Sequence, residues 1–232
     1  MGELQLQHQM FLQAFMWKKV CDSEEVRMLH TKCHDSVNVP EGDLKIFIEK
    51  INCALQPLSM NIKKGIDELT AKQCYVLVNI ADTPISRLSS EYESLDLELF
   101  KKIVSSIVES EEGKISSTTV LNFADDINKT LTKKVSRRDV NDILKKFIES
   151  GWLCEQRGYV FFSTRAIFEL QHFFKENFPN SITTCVWCKN IVFQGASCIS
   201  CGKKVHIYCR EHYVERTGNR LCHACNSNFC DD

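Results

Sequence analysis

The chain has 232 residues, 44% apolar and 25% charged, with a formal net charge of −1. This is the composition of a soluble globular protein with room for one large core or two ordinary ones. The near-neutral balance excludes a strong general attraction to DNA or anionic membranes.

No window approaches the roughly 18 consecutive apolar residues of a membrane span. Residues 1–10 are neither a basic leader nor an apolar run, so no secretory signal is expected. Leu6 stands where a myristoylation motif on Gly2 would need Ser or Thr. The expected compartment is the cytosol or nucleus.

The first stretch reads as helices over about 5–20 and 23–33, then a third with Leu44, Phe47, Ile48, Ile51, Leu55 and Leu58 on one stripe. Residues 60–66 and 74–80 are expected to pair as a hairpin, with Cys74, Val76, Val78 and Ile80 on one face. His8, His30, His34 and His172 lack neighbouring ligands and read as ordinary surface or packing residues.

From residue 89 the pattern repeats more sharply. The acidic run Glu91–Glu98 reads as a solvated linker and helix start. Leu99, Phe100, Ile103, Val104, Ile107 and Val108 form a helix ending at Gly113, and residues 117–124 a short one. Val140, Ile143, Leu144, Phe147 and Ile148 mark a further helix, started by a capping box at Ser136 and Asp139 and stopped at Gly151. Two β-prone runs, residues 152–155 and 159–162, follow, joined by Gln156, Arg157 and Gly158, with Gly where positive φ is needed. Ile167, Leu170, Phe174 and Phe178 line one last helix beginning near Ser163.

Helix, short helix, capped helix, then hairpin is the order of a winged helix. The expected fold class is α+β: tandem winged-helix domains at residues 1–88 and 89–179, then a small two-zinc domain at 180–232. Winged helices bind DNA or proteins. Residues 129–146 hold seven basic side chains against two acidic ones, and Arg137, Arg138, Lys145 and Lys146 are the candidates for phosphate contact. The same charges also suit a plain solvated helix face. Residues 1–180 contain more acidic than basic side chains, which argues against DNA binding as their main role.

Cysteine usage marks the last boundary, near Pro179. Of 13 cysteines, Cys21, Cys33, Cys53, Cys74 and Cys154 are scattered, and the other eight crowd into residues 185–230. In a reducing compartment such crowding means metal. The ligands read Cys185-x2-Cys188-x9-Cys198-x2-Cys201-x4-His206-x2-Cys209-x12-Cys222-x2-Cys225. A two-residue gap lets a tight turn aim both side chains at one ion, and two pairs complete a tetrahedron at about 2.3 Å per Zn–S bond.

His206 keeps the paired spacing and is preferred to His212 as the nitrogen ligand; Cys230 reads as a bystander. Eight ligands give two structural zinc ions and no open position for a catalytic water. Each ion supplies about 10–16 kcal/mol of folding free energy to a segment too short to fold on apolar burial.

Four cysteines, one histidine and three cysteines is an order that resembles two cross-brace families, RING variants and PHD fingers. That resemblance implies that Cys185, Cys188, His206 and Cys209 hold one zinc and Cys198, Cys201, Cys222 and Cys225 the other. Spacing alone also admits two sequential sites. Arg220 stands where PHD fingers carry Trp, which favours RING.

A RING docks a ubiquitin-conjugating enzyme, and Val186 and Trp187 in the first zinc loop are the candidate docking residues. Trp187 packing on the domain's own small core or on the neighbouring domain is the competing reading. The last loop lacks the usual Pro, and Asn226 replaces the basic residue that often follows the final ligand.

The tail CVWC…SCISCGKKVHIYC…CHAC and the segment SRRDVNDILKKFIESGWL together resemble the non-SMC element 1 family of the SMC complex that serves DNA repair. The resemblance covers the whole chain. It implies a heterodimer with a MAGE-domain subunit, association with a kleisin subunit, and a nuclear, chromosome-associated role in recombinational repair. It also implies RING-type ubiquitin ligase activity that depends on the MAGE partner. A non-catalytic assembly subunit holding partners or DNA is the alternative.

Overall fold

The computed structural model describes residues 3–80, 91–130 and 134–229. Lys133, Cys230 and the expected boundary between residues 88 and 89 lie outside the described residues. Contacts divide the chain into two units, Met1–Pro84 and Ile85–Asp232.

The first unit runs α1 (Leu6–Lys18), β1 (Val20–Asp22), α2 (Ser23–Asp35), α3 (Leu44–Leu55), β2 (Met60–Asp67) and β3 (Lys72–Asn79). α1 sends Phe11 and Phe15 into the core, both fully buried. α2 begins at a capping box, in which the Asp22 carboxylate accepts from the backbone of Glu24 and Glu25 and Glu25 accepts from the Asp22 N–H.

The α3 stripe ends at Leu55. A 3-10 turn through Pro57 leaves Leu58 64% exposed, so Leu58 is not part of the expected buried stripe. β2 and β3 pair antiparallel from Met60↔Asn79 to Asp67↔Lys72, and β1 adds to β3, giving the order β1-β3-β2. Ile80, expected on one face with Cys74, Val76 and Val78, lies past the strand end and is 44% exposed, whereas those three are buried.

Around Phe47 the three histidines form a cluster. His8 stacks on Phe47 at 4.3 Å and His30 meets it edge-on at 4.6 Å. His34 lies 4.4 Å from His30.

The second unit repeats the same element order: α4 (Ser94–Glu109), β4 (Lys114–Ser116), α5 (Ser117–Thr130), α6 (Arg137–Glu149), β5 (Leu153–Gln156) and β6 (Tyr159–Phe162), with sheet order β4-β6-β5. Within the acidic run, Asp96 is buried rather than solvated. It accepts from the Glu93 N–H and from Lys146, each at 3.4 Å, and so caps α4. α5 is longer than the short helix expected because fully buried Ile127 extends its apolar stripe.

Ser136 and Asp139 cap α6 as expected, and Gly151 takes a φ of 75° just past its end. The hairpin turn is tighter than expected. Gln156 belongs to β5, and only Arg157 and Gly158 form the loop, both at positive φ.

The last helix of this part is broken in two. α7 (Thr164–Glu169) starts at the Ser163 cap, Leu170 leaves helical geometry, and α8 (Gln171–Asn177) follows. Leu170 and Phe174 still share the core with Phe100, Phe147 and Leu153.

Beyond them come β7 (Ala196–Ser197), β8 (Lys204–Val205) and α9 (Ile207–Thr217). Ile191 and Phe193 from this last stretch are buried in the core formed by α4–α8.

Candidate metal centres in the C-terminal segment

Three of the four ligand pairs are built alike. In each, the carbonyl of the first cysteine accepts the N–H four residues on: Lys189 to Cys185 at 3.0 Å, Gly202 to Cys198 at 2.9 Å, Asn226 to Cys222 at 2.8 Å. In each, its own N–H donates five residues on, to Asn190, Lys203 and Ser227 respectively, at 2.8–2.9 Å.

The residue after the second cysteine must then be left-handed, and Lys189, Gly202 and Asn226 have φ of 62°, 66° and 55°. Gly takes that geometry freely and Asn more readily than most other residues. Asn226 therefore has a backbone role that the sequence pattern did not reveal. The fourth pair sits differently: His206 stands at the N-terminal boundary of α9 without a side-chain capping bond, and Cys209 lies in the helix's first turn.

These turns bring the donors together as two sets, Cys185, Cys188, His206 and Cys209, and Cys198, Cys201, Cys222 and Cys225. Within each set all ligand atoms lie within 4.8 Å of one another. The first and third pairs thus meet, as do the second and fourth. His212 joins neither set and faces Glu215 at 3.9 Å.

The His206 ring shows how the first set suits a metal. Its Nε2 lies 3.1 Å from the Ile191 carbonyl, which can only accept, so that nitrogen carries the proton. Nδ1 then carries the lone pair, and it faces the sulfurs of Cys188 at 3.3 Å and Cys209 at 3.9 Å. Orientation of a ligating imidazole by a carbonyl on its far nitrogen is common in metal sites.

The thiols conflict without a cation. Hydrogen bonds from Cys188 and Cys209 pull the Cys185 pKa strongly down, while the hydrogen bond to Cys185 pushes Cys209 strongly up. In the second set the Ser227 backbone N–H, helped by Cys198, lowers Cys225 to about 6. There the Lys203 N–H favours the Cys201 thiolate, but desolvation and the neighbouring thiols outweigh it and raise Cys201 to about 12.

Four sulfurs this close cannot all hold negative charge unless a cation sits between them, and a thiolate-binding divalent ion fits. Zinc bound here would have four protein ligands and no vacant position, so it would organise the chain rather than activate water.

Val186 and Trp187 are both half-buried. Trp187 stacks on Tyr213 at 4.7 Å and tilts against Phe229 at 6.2 Å. Its contacts are those of the competing reading, in which it packs on its own domain. Of the basic residues on α6, Arg137 reaches Asp125 and Lys146 reaches Asp96, each at 3.4 Å, while Arg138 and Lys145 are exposed.

The family model described as "Nse1 non-SMC component of SMC5-6 complex" matches residues 8–170, and a RING-like domain model matches residues 185–225. Among curated proteins, non-structural maintenance of chromosomes element 1 homologues are similar across nearly the whole chain. The Rattus norvegicus protein is 36% identical over 97% of this chain and 84% of its own length. The Homo sapiens protein is 34% identical over 97% of this chain and 85% of its own, and the Schizosaccharomyces pombe protein 25% identical over 95% and 90%. A solved chain described as "Nse1-Nse3-Nse4 complex" superposes with a TM-score of 0.85 at 31% identity, covering all of both chains. A helix-and-hairpin pair followed by two cross-braced ligand sets, matched end to end in this way, places the chain in the Nse1 family, the non-SMC component of the SMC5-6 complex.

Proposed function

We propose that this chain is the Nse1-type subunit of a chromosome-associated SMC complex acting in recombinational DNA repair in the nucleus. In this reading it pairs with a MAGE-domain Nse3-type subunit and meets a kleisin Nse4-type subunit. Its zinc domain recruits a ubiquitin-conjugating enzyme only in that assembly. The observation that carries the reading is the end-to-end likeness to Nse1 proteins, including the solved chain of an Nse1-Nse3-Nse4 complex. The repeated element order supports two winged helices as the assembly scaffold.

No residue of the chain does covalent chemistry in this proposal; the zinc ions hold the shape that the conjugating enzyme meets. The half-buried Val186 and Trp187 are the docking candidates, and the partner-dependence accords with a loop lacking Pro and with Asn226 committed to backbone geometry. The outward side of α1 also suits a subunit interface: Leu6 is 59%, Met16 60% and Trp17 82% exposed, and Gln9 and Gln13 complete an uncharged strip.

The test is release of ubiquitin from a charged conjugating enzyme by the purified chain, alone and with Nse3- and Nse4-type subunits. Release only with the partners, reduced in Val186→Asp protein that keeps its zinc, is the expected result. Assembly without any release, or release indifferent to Val186→Asp and Trp187→Ala, favours the non-catalytic assembly reading instead. A direct DNA role rests on Arg137, Arg138, Lys145 and Lys146, of which Arg137 and Lys146 also reach carboxylates. Reversing all four charges without altering salt-sensitive DNA binding would eliminate it.

A further inference from the structure

The two ligand sets are not equivalent in what lies behind them. The chain between the first and second pairs crosses from one core to the other. Ile191 and Phe193 point into the core of α4–α8, while Val192 between them points into the small core around the cysteines. This is the two-residue alternation of an extended segment used as a shared wall.

Phe193 is only 5% exposed, and its ring lies 4.8 Å from Phe162 of β6 and 5.2 Å from Phe174 of α8. The same wall is tied from the metal side. The Ile191 carbonyl holds Nε2 of His206, the nitrogen ligand of the first set, at 3.1 Å. Lys204 donates to the carbonyls of Glu111 and Phe193, on opposite sides of the junction. Gly113, at φ 66°, approaches so closely that a Cβ there would lie 2.5 Å from the Phe193 oxygen.

Among the described residues, the second set shows no such tie. Cys201 and Cys225 are exposed and Ile199 between its first two ligands is 70% exposed, while Cys198 and Cys222 are buried in the small core with Cys185 and Val192.

We propose that the first metal site and the core of the second unit form one cooperative structure joined through Ile191–Phe193, while the second site opens independently. When the first ion leaves, His206 is no longer pinned through Nδ1, the buried Ile191 carbonyl loses its oriented donor, and the Phe193 plug is released from the aromatic cluster. The zinc domain is therefore not a module on a flexible linker. A partner docked on its first site is held in fixed register with the hairpin of β5 and β6.

The inference rests on both sets holding zinc, and the experiment separates the two claims. Zinc release from the full chain is followed with a chromogenic indicator during chelation, alongside hydrogen exchange of peptides covering residues 99–108 and 160–174. The expected course has two phases. The first equivalent leaves from Cys198, Cys201, Cys222 and Cys225 with those peptides still protected; the second leaves together with their protection.

Cys225→Ala is expected to remove one ion and leave the peptides protected. Phe193→Ala is expected to speed release of the slower ion by roughly tenfold, the range of ordinary coupling between packed neighbours, without changing the faster one. Loss of both ions with protection intact overturns the coupling alone. Less than two equivalents in the wild-type chain overturns the metal reading and the coupling with it. Gly113→Ala, which crowds the same junction without touching a ligand, provides a second check; unaltered release from the slower site would count against the shared wall.

Discussion

The helix-and-hairpin units and the cysteine-rich segment obtain their interiors from different sources. The second unit fills its core with large apolar side chains, among them Phe147, Phe174, Leu99 and Ile103, all fully buried. The segment beyond residue 184 has a small interior shared between candidate ligands and a few apolar side chains: Cys185, Cys198 and Cys222 lie beside Val192, Ala196, Val205 and Phe229. The first kind of core is held by packed volume, so its cost of damage is graded with the volume lost. The second is held by a few fixed donor atoms, so loss of one is all or none for that site. Ile191 and Phe193 are where the two kinds meet.

The sharpest way to test this contrast is to remove one ligand. Cys185→Ala or His206→Ala should abolish the first site, forfeiting up to about 10–16 kcal/mol of metal-linked folding free energy. The mass of the native protein should fall by one zinc, and limited proteolysis should cut within residues 185–209. A variant that keeps both ions would break the contrast.

Next in size is a cavity in the packed core. Phe147 is fully buried and stacked on Phe100 and Tyr92, each at 4.6 Å. Phe147→Ala should cost about 3–5 kcal/mol, read as a lowered denaturant midpoint with the second site's zinc still bound. A cost below about 1 kcal/mol, no more than a surface substitution, would mean that this core is not what packing implies.

Smaller again is the α6 cap. Ser136→Ala removes the hydroxyl that accepts the Asp139 N–H and should cost about 1 kcal/mol. Zinc content should not change.

The smallest expected effect is in the first unit and depends on pH. Burial, aided by the nearby positive charge of Lys50, lowers the pKa of His8. Burial likewise lowers that of His30, with hydrogen bonding to Glu41 opposing it. The folded chain therefore binds protons less readily than the unfolded one near these groups' ordinary value of about 6.5. Their contribution to stability is fully present above that value and is lost as pH falls below it. Denaturant midpoints of the first unit should drop between pH 7.5 and pH 5, and the drop should shrink in a His8→Phe, His30→Phe double variant. An unchanged pH slope in that variant would show that other groups carry it.

Much of this architecture was legible in the chain. The stripes at 44–55 and 140–148, the Ser136 and Asp139 box and the paired cysteines each encode local geometry through spacing. What escaped depends on distant partners. β1 and β4 are three residues long, too short for any periodicity, and are strands only because β3 and β6 offer edges. The break at Leu170 interrupts an apolar stripe that looks continuous. Asn226 read as a missing basic residue, whereas its φ shows a backbone requirement shared with Lys189 and Gly202. The burial of Ile191 and Phe193 in the preceding core left no local mark, because an extended segment of a zinc loop has the same sequence whether it faces solvent or another core.

Metal stoichiometry of the purified full chain by native mass spectrometry tests the central claim most directly. Two zinc ions per molecule are expected, falling to one in Cys225→Ala and one in His206→Ala. A wild-type chain that carries fewer than two, or keeps residues 185–229 ordered once both are chelated, would contradict an interior organised by cross-braced thiolates.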